Sequence, residues 1–187
     1  MNAPASRTKL PDFERSIVKR MDNIILIGMP GVGKSTVGVV LAKCLGYRFV
    51  DSDLVIQEET GMLLHQIIEE KGIDGFIAVE NDINASLRAQ KAVIATGGSA
   101  VYGREAMEHF KSMGTVIYLK LSYASIAERL GDLNERGVAV KEGQTLADLY
   151  EERIPYYERY ADIMIDCENK MIKNIVAEMA EVIRAMP

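Results

Sequence analysis

The sequence predicts a three-layer α/β domain, a parallel sheet covered by helices on both faces. Three observations carry that expectation. Short apolar, β-branched runs alternate with helix-periodic segments along the chain, the pattern of successive βα units. One all-aliphatic run, Ile24-Ile25-Leu26-Ile27, passes directly into a glycine-rich turn and then a helix. Three of the runs end in Gly28–Thr36, Asp51-Ser52-Asp53 and Thr96-Gly97-Gly98-Ser99, residues suited to ligands, and open α/β sheets bind ligands at the carboxyl ends of their strands.

In chain order, residues 1–9 are polar and carry Pro4 and Ser6, which predicts disorder. Pro11 to Arg20 predicts a short accessory helix with Phe13, Ile17 and Val18 on one side. Residues 1–20 are thus an N-terminal extension to a domain over residues 21–187. Strand one is Asn23–Ile27. A helix follows over Lys34–Leu45, with Val37, Val40, Leu41 and Cys44 at helical spacing and Gly46 as its stop. Tyr47–Val50 is strand two. Leu54–Glu59 is a short helix broken near Gly61. Leu63–Lys71 is another, with Leu64, Ile67 and Ile68 as its apolar face. Gly72–Gly75 reads as a turn, and Phe76–Gln90 as a longer helix. Val93–Ala95 is strand three, Arg104–Lys111 a helix, Val116–Leu119 strand four and Ala124–Leu130 a helix. Gly131–Gln144 has charges, Gly137 and Gly143 but little periodicity, which predicts a flexible flap. Leu146–Tyr157 is helical until Pro155 disturbs it. Ile163–Ile165 is the last strand. Lys170–Met186 is the last helix, with Ile172, Ile175, Val176, Met179, Val182 and Ile183 inward.

Gly28, Gly33, Lys34 and Ser35 fit G-x-x-x-x-G-K-[ST], the phosphate-binding loop. Glycines let the chain curl and turn backbone N–H groups towards phosphate oxygens. The helix starting near Lys34 offers unpaired N–H groups and a partial positive charge to the same anion. Lys34 adds a cation for the β- and γ-phosphates, and the Ser35 hydroxyl is a Mg²⁺ ligand in such loops. A complete match immediately after an aliphatic strand predicts nucleoside triphosphate binding.

The charge balance of 22 basic and 27 acidic residues, net −5, argues against nucleic acid or a membrane surface as partner, since either calls for a basic stripe. No apolar run reaches the length of a membrane span and no signal-peptide core is present, so the expected location is the cytoplasm, with the protein a monomer. Cys44 and Cys167 have no metal-ligand spacing and read as small core residues in a reducing compartment. His65 and His109 match no ligand spacing either and read as surface or helix-end residues.

Asp51 and Asp53 alternate, and on an extended backbone they share a face. After a phosphate loop and a second strand they suit phosphoryl transfer, with one carboxylate near Mg²⁺ and another orienting and deprotonating an attacking hydroxyl. Helix capping is the plainer alternative. Thr96–Ser99 reads equally as a simple turn and as a place where glycines let a ligand approach the backbone. Arg129, Arg136 and Arg153 follow strand four. A flap arginine closing over the triphosphate would neutralise transition-state charge, whereas a single exposed arginine reads first as a solvated surface residue.

With these residues assembled, the chain resembles the shikimate kinase family of the nucleoside-monophosphate-kinase-like P-loop group. The resemblance runs from about Asn23 to the last helix. It rests on an ordered set: Gly-Met-Pro-Gly-Val-Gly-Lys-Ser-Thr, Phe-Val-Asp-Ser-Asp, Gly-Ile-Asp-Gly-Phe with Glu80, Ala-Thr-Gly-Gly, and Glu-Arg-Ile-Pro-Tyr-Tyr-Glu-Arg-Tyr-Ala-Asp. It implies a P-loop kinase fold with a five-stranded parallel sheet and a mobile lid, here about 131–145. It implies an enzyme that uses ATP and Mg²⁺ to phosphorylate a hydroxyl of shikimate, a step of aromatic amino acid biosynthesis. The same resemblance puts Gly31, Val32, Gly33, Lys34, Ser35 and Thr36 around ATP, with Arg129 near adenine and Arg136 as the lid arginine. It makes Ser35 and Asp51 the metal-binding residues. Asp53, Gly98 and Arg153 hold the acceptor, and Lys34, Asp53 and Arg136 are catalytic.

The chain departs from the family at three places. Where the family has Phe-Arg, this chain has Phe76-Ile77, and that arginine pairs with the shikimate carboxylate. A charge-assisted hydrogen bond contributes about 1.5–3 kcal/mol, so its loss weakens binding roughly 10- to 150-fold. Ser99 replaces the third glycine of a Gly-Gly-Gly turn, and Arg136-Gly137-Val138-Ala139 replaces Arg-Pro-Leu-Leu in the lid. The nucleotide half is intact and the acceptor half is altered. Three readings follow: a shikimate kinase, a kinase of this fold for another small hydroxylated acceptor, and a nucleotide-binding regulatory module without turnover.

Overall fold

The structure, a computed structural model, describes residues 23–130 and 143–186. The extension expected over residues 1–20, and the part of the expected lid that carries Arg136, lie outside the described residues. The strands β1 (Asn23–Ile27), β2 (Arg48–Asp51), β3 (Ala92–Ala95), β4 (Gly114–Lys120) and β5 (Ile163–Asp166) form one five-stranded sheet in the order β2-β3-β1-β4-β5. All pairings are parallel. Every residue of β1 and β3 is buried, because helices cover the sheet on both faces and an aliphatic side chain is suited to either. The edge strands β2 and β5 are only partly buried.

Asn23 anchors the register. Its Nδ2 donates to Ala89 O and Met113 O at 2.9 Å each, and its Oδ1 accepts from Ala92 N at 3.1 Å. These bonds tie the start of β1 to the segments entering both neighbours, and Ile25 then pairs with Ile94 on one side and Val116 on the other.

Among the described residues the helices are α1 (Lys34–Leu45), α2 (Ser52–Thr60), α3 (Leu64–Ser86), α4 (Arg104–Met113), α5 (Tyr123–Leu130), α6 (Leu146–Tyr160) and α7 (Ile172–Arg184), with a 3₁₀ turn at Ala100–Tyr102. Helix α1 packs against α7, and α3 against α4. From β1 the chain crosses one way to β2 and β3, then past β1 to β4 and β5. That reversal opens a crevice at the carboxyl end of β1, where the phosphate loop begins.

Several expectations are corrected. Val37 and Leu41 of α1 are buried, but Val40 and Cys44 are exposed. The buried stripe is rotated towards Gly38 and Ala42, because the ring of Phe49 fills the space a side chain at Gly38 would need, with Cε2 at 2.8 Å from its ideal Cβ. Cys167 is buried as expected. Asp51 closes β2 and is the N-cap of α2, so Asp53 lies in the first helical turn and not on an extended backbone. Strand alternation therefore does not bring the two together; the cap does, with Asp51 Oδ1 accepting from Asp53 N at 3.1 Å. The two helices expected across 63–90 are present within the span of α3, meeting at a non-helical break at Gly72 (φ 70°, ψ 176°) as expected, but the second ends at Ser86 and not Gln90, because Leu87 turns into the core. Helix α6 runs through Pro155 to Tyr160. Pro155 and Glu151 are both exposed, so water can serve the carbonyl that the missing N–H leaves without a donor.

Candidate active site

The loop between β1 and α1 owes its curl to glycine. Gly28 (φ 145°) and Gly33 (φ 100°) occupy backbone regions that L side chains rarely adopt, and a Cβ at Gly28 would sit 2.7 Å from Leu119 O. Gly33 is also the N-cap of α1, where no side chain takes the first N–H groups and no acidic residue stands in the first turn. The helix start is therefore left open to an anion. Lys34 is buried, and its Nζ donates to Gly28 O at 2.7 Å and Met29 O at 3.0 Å. Burial pushes its pKa down to about 8 against the pull of Asp53.

Ser35 Oγ donates to Asp51 Oδ2 at 2.8 Å. Asp51 thus uses one oxygen to cap α2 and the other to meet the phosphate-loop hydroxyl, so the capping reading and the metal-site reading describe the same side chain. Asp53 stands one helical residue beyond Ser52. Burial, reinforced by the Asp51 charge, raises its carboxyl to about 6, with Lys34 opposing.

Across the crevice, the 96–99 turn is tied down at several points. Thr96 Oγ1 donates to Leu26 O at 3.0 Å, Gly97 N donates to Ser52 Oγ at 3.3 Å, and Tyr157 Oη donates to Gly98 O at 2.7 Å. A Cβ at Gly98 would lie 2.8 Å from the Pro30 ring and 3.0 Å from Arg153 Nη1. The turn is therefore a close approach of three segments. Arg153 is 1% exposed, on the inward face of α6 between Leu149 and Tyr157, one turn away on either side. Its Nε donates to Tyr102 Oη at 3.2 Å and its guanidinium lies 5.2 Å from the Tyr102 ring centroid. Glu80, on α3, is buried beneath Gly97, where a methyl group at Gly97 would collide with Glu80 Oε1 and come within 2.9 Å of Asp53 Oδ1. Neither Glu80 oxygen makes a well-formed hydrogen bond among the described residues, although the neighbouring Ser99 hydroxyl favours the carboxylate. Burial raises the Glu80 carboxyl to about 7.

Most of these groups border one cavity of about 380 Å³, within the range of small-molecule sites, with Glu80 behind its wall at Gly97. Its wall is formed by Pro30, Gly31 and Gly33–Thr36, by Asp53, by Leu64 and Phe76 of α3, by the 96–99 turn and by Arg153. Of the residues singled out in the sequence, Gly31, Gly33, Lys34, Ser35, Thr36, Asp53, Gly98 and Arg153 thus come together. Asp51 reaches the cavity through Ser35. Val32 does not, since its side chain is in the core and its N–H bonds Met29 O at 3.3 Å. Arg129 is exposed at the end of α5 and donates to Val32 O at 3.3 Å, behind the loop and off the cavity wall. Ile77 packs half-buried beside the cluster of Ile56, Ile67 and Phe76, and is also off the wall. The solvated-surface reading of Arg153 is overturned: the i±4 neighbours Leu149 and Tyr157 are a signal that could have placed it inward. Tyr102 had no such signal, and Leu64 was read only as part of its helix's apolar face.

No group of three or more acidic, histidine or cysteine side chains suited to a metal exists among the described residues, and no helix among them is long and apolar enough to cross a membrane. The family model described as shikimate kinase matches residues 30–184. The chain is 35% identical over 165 residues to a shikimate kinase of Francisella tularensis subsp. novicida, covering 86% of this chain and 94% of that protein. It is 43% identical over 109 residues to shikimate kinase 2 of Yersinia pseudotuberculosis, covering 58% of this chain and 63% of the relative. Among solved structures, it is similar to the shikimate kinase of Acinetobacter baumannii in complex with shikimate, at a TM-score of 0.78 and 30% identity, over 91% of this chain and 97% of that one. The shikimate kinase of Aquifex aeolicus gives a TM-score of 0.75 at 32% identity, over 87% and 96% of the two chains.

Proposed function

The chain belongs to the shikimate kinase family, and on that premise we propose that it transfers the γ-phosphoryl group of ATP to a hydroxyl of shikimate. The observation that carries the reading is the shared cavity, with an anion-ready helix start and Lys34 on one side and the Asp53 carboxyl and Arg153 facing it. The loop N–H groups and Lys34 hold the phosphates. Lys34 leaves its two carbonyls for phosphate oxygens, which hold it in the charged form. The acceptor hydroxyl oxygen bonds to the γ-phosphorus as the bond to the ADP oxygen breaks, and its proton passes to the Asp53 carboxylate. Arg153 and the backbone at Gly98 orient the acceptor. Arg136, in the expected lid, adds charge over the transferring group.

The residues also fit Mg²⁺. The Ser35 hydroxyl and the Asp51 carboxylate form a pair of hard oxygen donors beside the phosphate loop, and Mg²⁺ takes one or two such groups together with phosphate oxygens and water. When bound, the ion screens charge on the transferring phosphoryl group. We place the enzyme in the cytoplasm and read it as a monomer.

The test is a coupled assay of ADP release with ATP, Mg²⁺ and shikimate. Shikimate-dependent release, abolished by D53N, is the expected result. A rate no higher than the shikimate-free background would refute the reading.

A further inference from the structure

Glu80 is the group in this site that the phosphoryl transfer does not use. It is 1% exposed, and both carboxyl oxygens lack a hydrogen-bond partner among the described residues. A buried carboxylate in that condition is costly, and native structures resolve such cost with a donor or a cation. Of the neutral groups around it, the Ser99 hydroxyl favours the carboxylate but leaves its charge uncompensated. The Asn84 amide, one helical turn further along α3, is itself buried and unpartnered and does not reach it. Ile77, three residues earlier on the same helical side, is aliphatic and packs in an apolar cluster. The charged groups that face Glu80 are Asp53, Arg153 and Lys34. Lys34 is taken up by the phosphates once nucleotide binds, and Arg153 is set to meet an acceptor's carboxylate. The acceptor half therefore holds two acids, Asp53 and Glu80, against Arg153.

A compensating cation can come from the cavity side. Glu80 Oε1 lies directly beneath Gly97, which lines the cavity and has no side chain to screen it, and Asp53 Oδ1 borders the same point. We propose that the acceptor pocket also takes small hydroxy acids that carry an ammonium group. Arg153 receives the carboxylate, Asp53 the reacting hydroxyl, and Glu80 the ammonium. This rests on the kinase reading above and adds a second class of acceptor to it. The chemistry balances as before: the hydroxyl oxygen gains the γ-phosphoryl group, ADP leaves, the hydroxyl proton goes to Asp53, and the ammonium is bound without being consumed.

The experiment measures ADP release and phosphorylated product with the full-length protein, ATP and Mg²⁺. The acceptors are L-serine, L-threonine and L-homoserine, each beside its deaminated hydroxy acid, and shikimate. At least one amino acid should exceed its deaminated counterpart by about tenfold or more in kcat/KM, the loss expected for one charge-assisted hydrogen bond. E80Q should erase that preference while nucleotide affinity stays within about twofold. Because E80Q alters a buried site, Ile77→Arg serves as a second variant. It sets a cation beside Glu80 from the half-buried side and should lower amino acid turnover while raising that of shikimate. Absence of product from every amino acid, or a preference that survives E80Q in a folded protein, overturns the inference. Turnover of shikimate alone overturns it and leaves the kinase reading standing, whereas no turnover of any acceptor by a protein that binds ATP overturns both.

Discussion

Lys34 and Asp53 hold opposite charges whose pKa values are pushed towards each other by burial, and each is expected to behave differently when removed. The Lys34 ammonium is desolvated and hydrogen-bonds its own loop carbonyls. Lys34→Met should weaken ATP binding roughly 10- to 150-fold, the range for a charge-assisted hydrogen bond, while the ligand-free protein melts no lower than the parent because a buried charge is gone. Calorimetric titration with ATP and thermal melting check the two halves separately. Asp53→Asn should lower kcat by about 10²- to 10⁴-fold, the contribution of a positioned base, with ATP affinity nearly unchanged. With its carboxyl raised to about 6, Asp53 is protonated below that pH and cannot accept the hydroxyl proton. The kcat/KM for the acceptor should therefore fall as pH drops through about 6, and a profile flat from pH 5 to 8 would remove Asp53 from the role of base. At this scale Lys34 and Ser35 were legible because their chemistry is written in a contiguous motif. Glu80 was not legible as a buried group, since Gly97, which lies over it, is distant in sequence, and Arg153 carried only the i±4 pattern of Leu149 and Tyr157, while its partner Tyr102 is distant.

The 96–99 turn shows why elements were harder to read than motifs. Its sequence is compatible with any tight turn, and its role comes from Pro30 and Arg153, which reach it from two other segments. Gly98→Ala should test that. The new Cβ would stand 2.8 Å from the Pro30 ring, which is rigid, and 3.0 Å from Arg153 Nη1. Overpacking of this kind costs about 1–3 kcal/mol, equivalent to a fall in melting temperature of about 2–12 °C at this chain length. Displacing Arg153 should also raise the acceptor KM more than the ATP KM. Equal KM values for parent and variant would mean that the turn gives way without moving the arginine. The boundaries misread in the sequence have the same origin. All five strands were legible, because hydrophobic runs report burial directly. The ends shifted where a side chain from elsewhere settled them: Asp51 capped α2 early, Leu87 ended α3 by entering the core, and Phe49 rotated the buried stripe of α1 past Val40 and Cys44.

For the whole molecule, the site concentrates unfavourable charge burial at the carboxyl end of the sheet, and that couples folding to pH and to ligand. Glu80 is raised from 4.5 to about 7 and Asp53 from 3.8 to about 6, so both bind protons more tightly folded than unfolded. Their contribution to stability is fully present below about pH 4 and is lost as pH rises through 6 and 7. Lys34, lowered to about 8, works in the other sense: its contribution is present above its unfolded value of 10.5 and is lost as pH falls through 8. The ligand-free site is therefore most strained near neutral pH, where all three groups are charged. Bound nucleotide relieves Lys34, and ATP at about 100 times its Kd should add roughly 2.7 kcal/mol, a rise of about 5–11 °C in melting temperature. The Glu80 share is isolated by subtraction. The melting temperature of E80Q minus that of the parent should increase steadily from pH 4.5 to pH 7.5, because the glutamine removes the charge that appears over that interval and leaves every other titration in place. A difference that stays constant across the interval would mean that Glu80 ionises as easily in the folded chain as in the unfolded one. The acceptor pocket would then hold no stored demand for a cation.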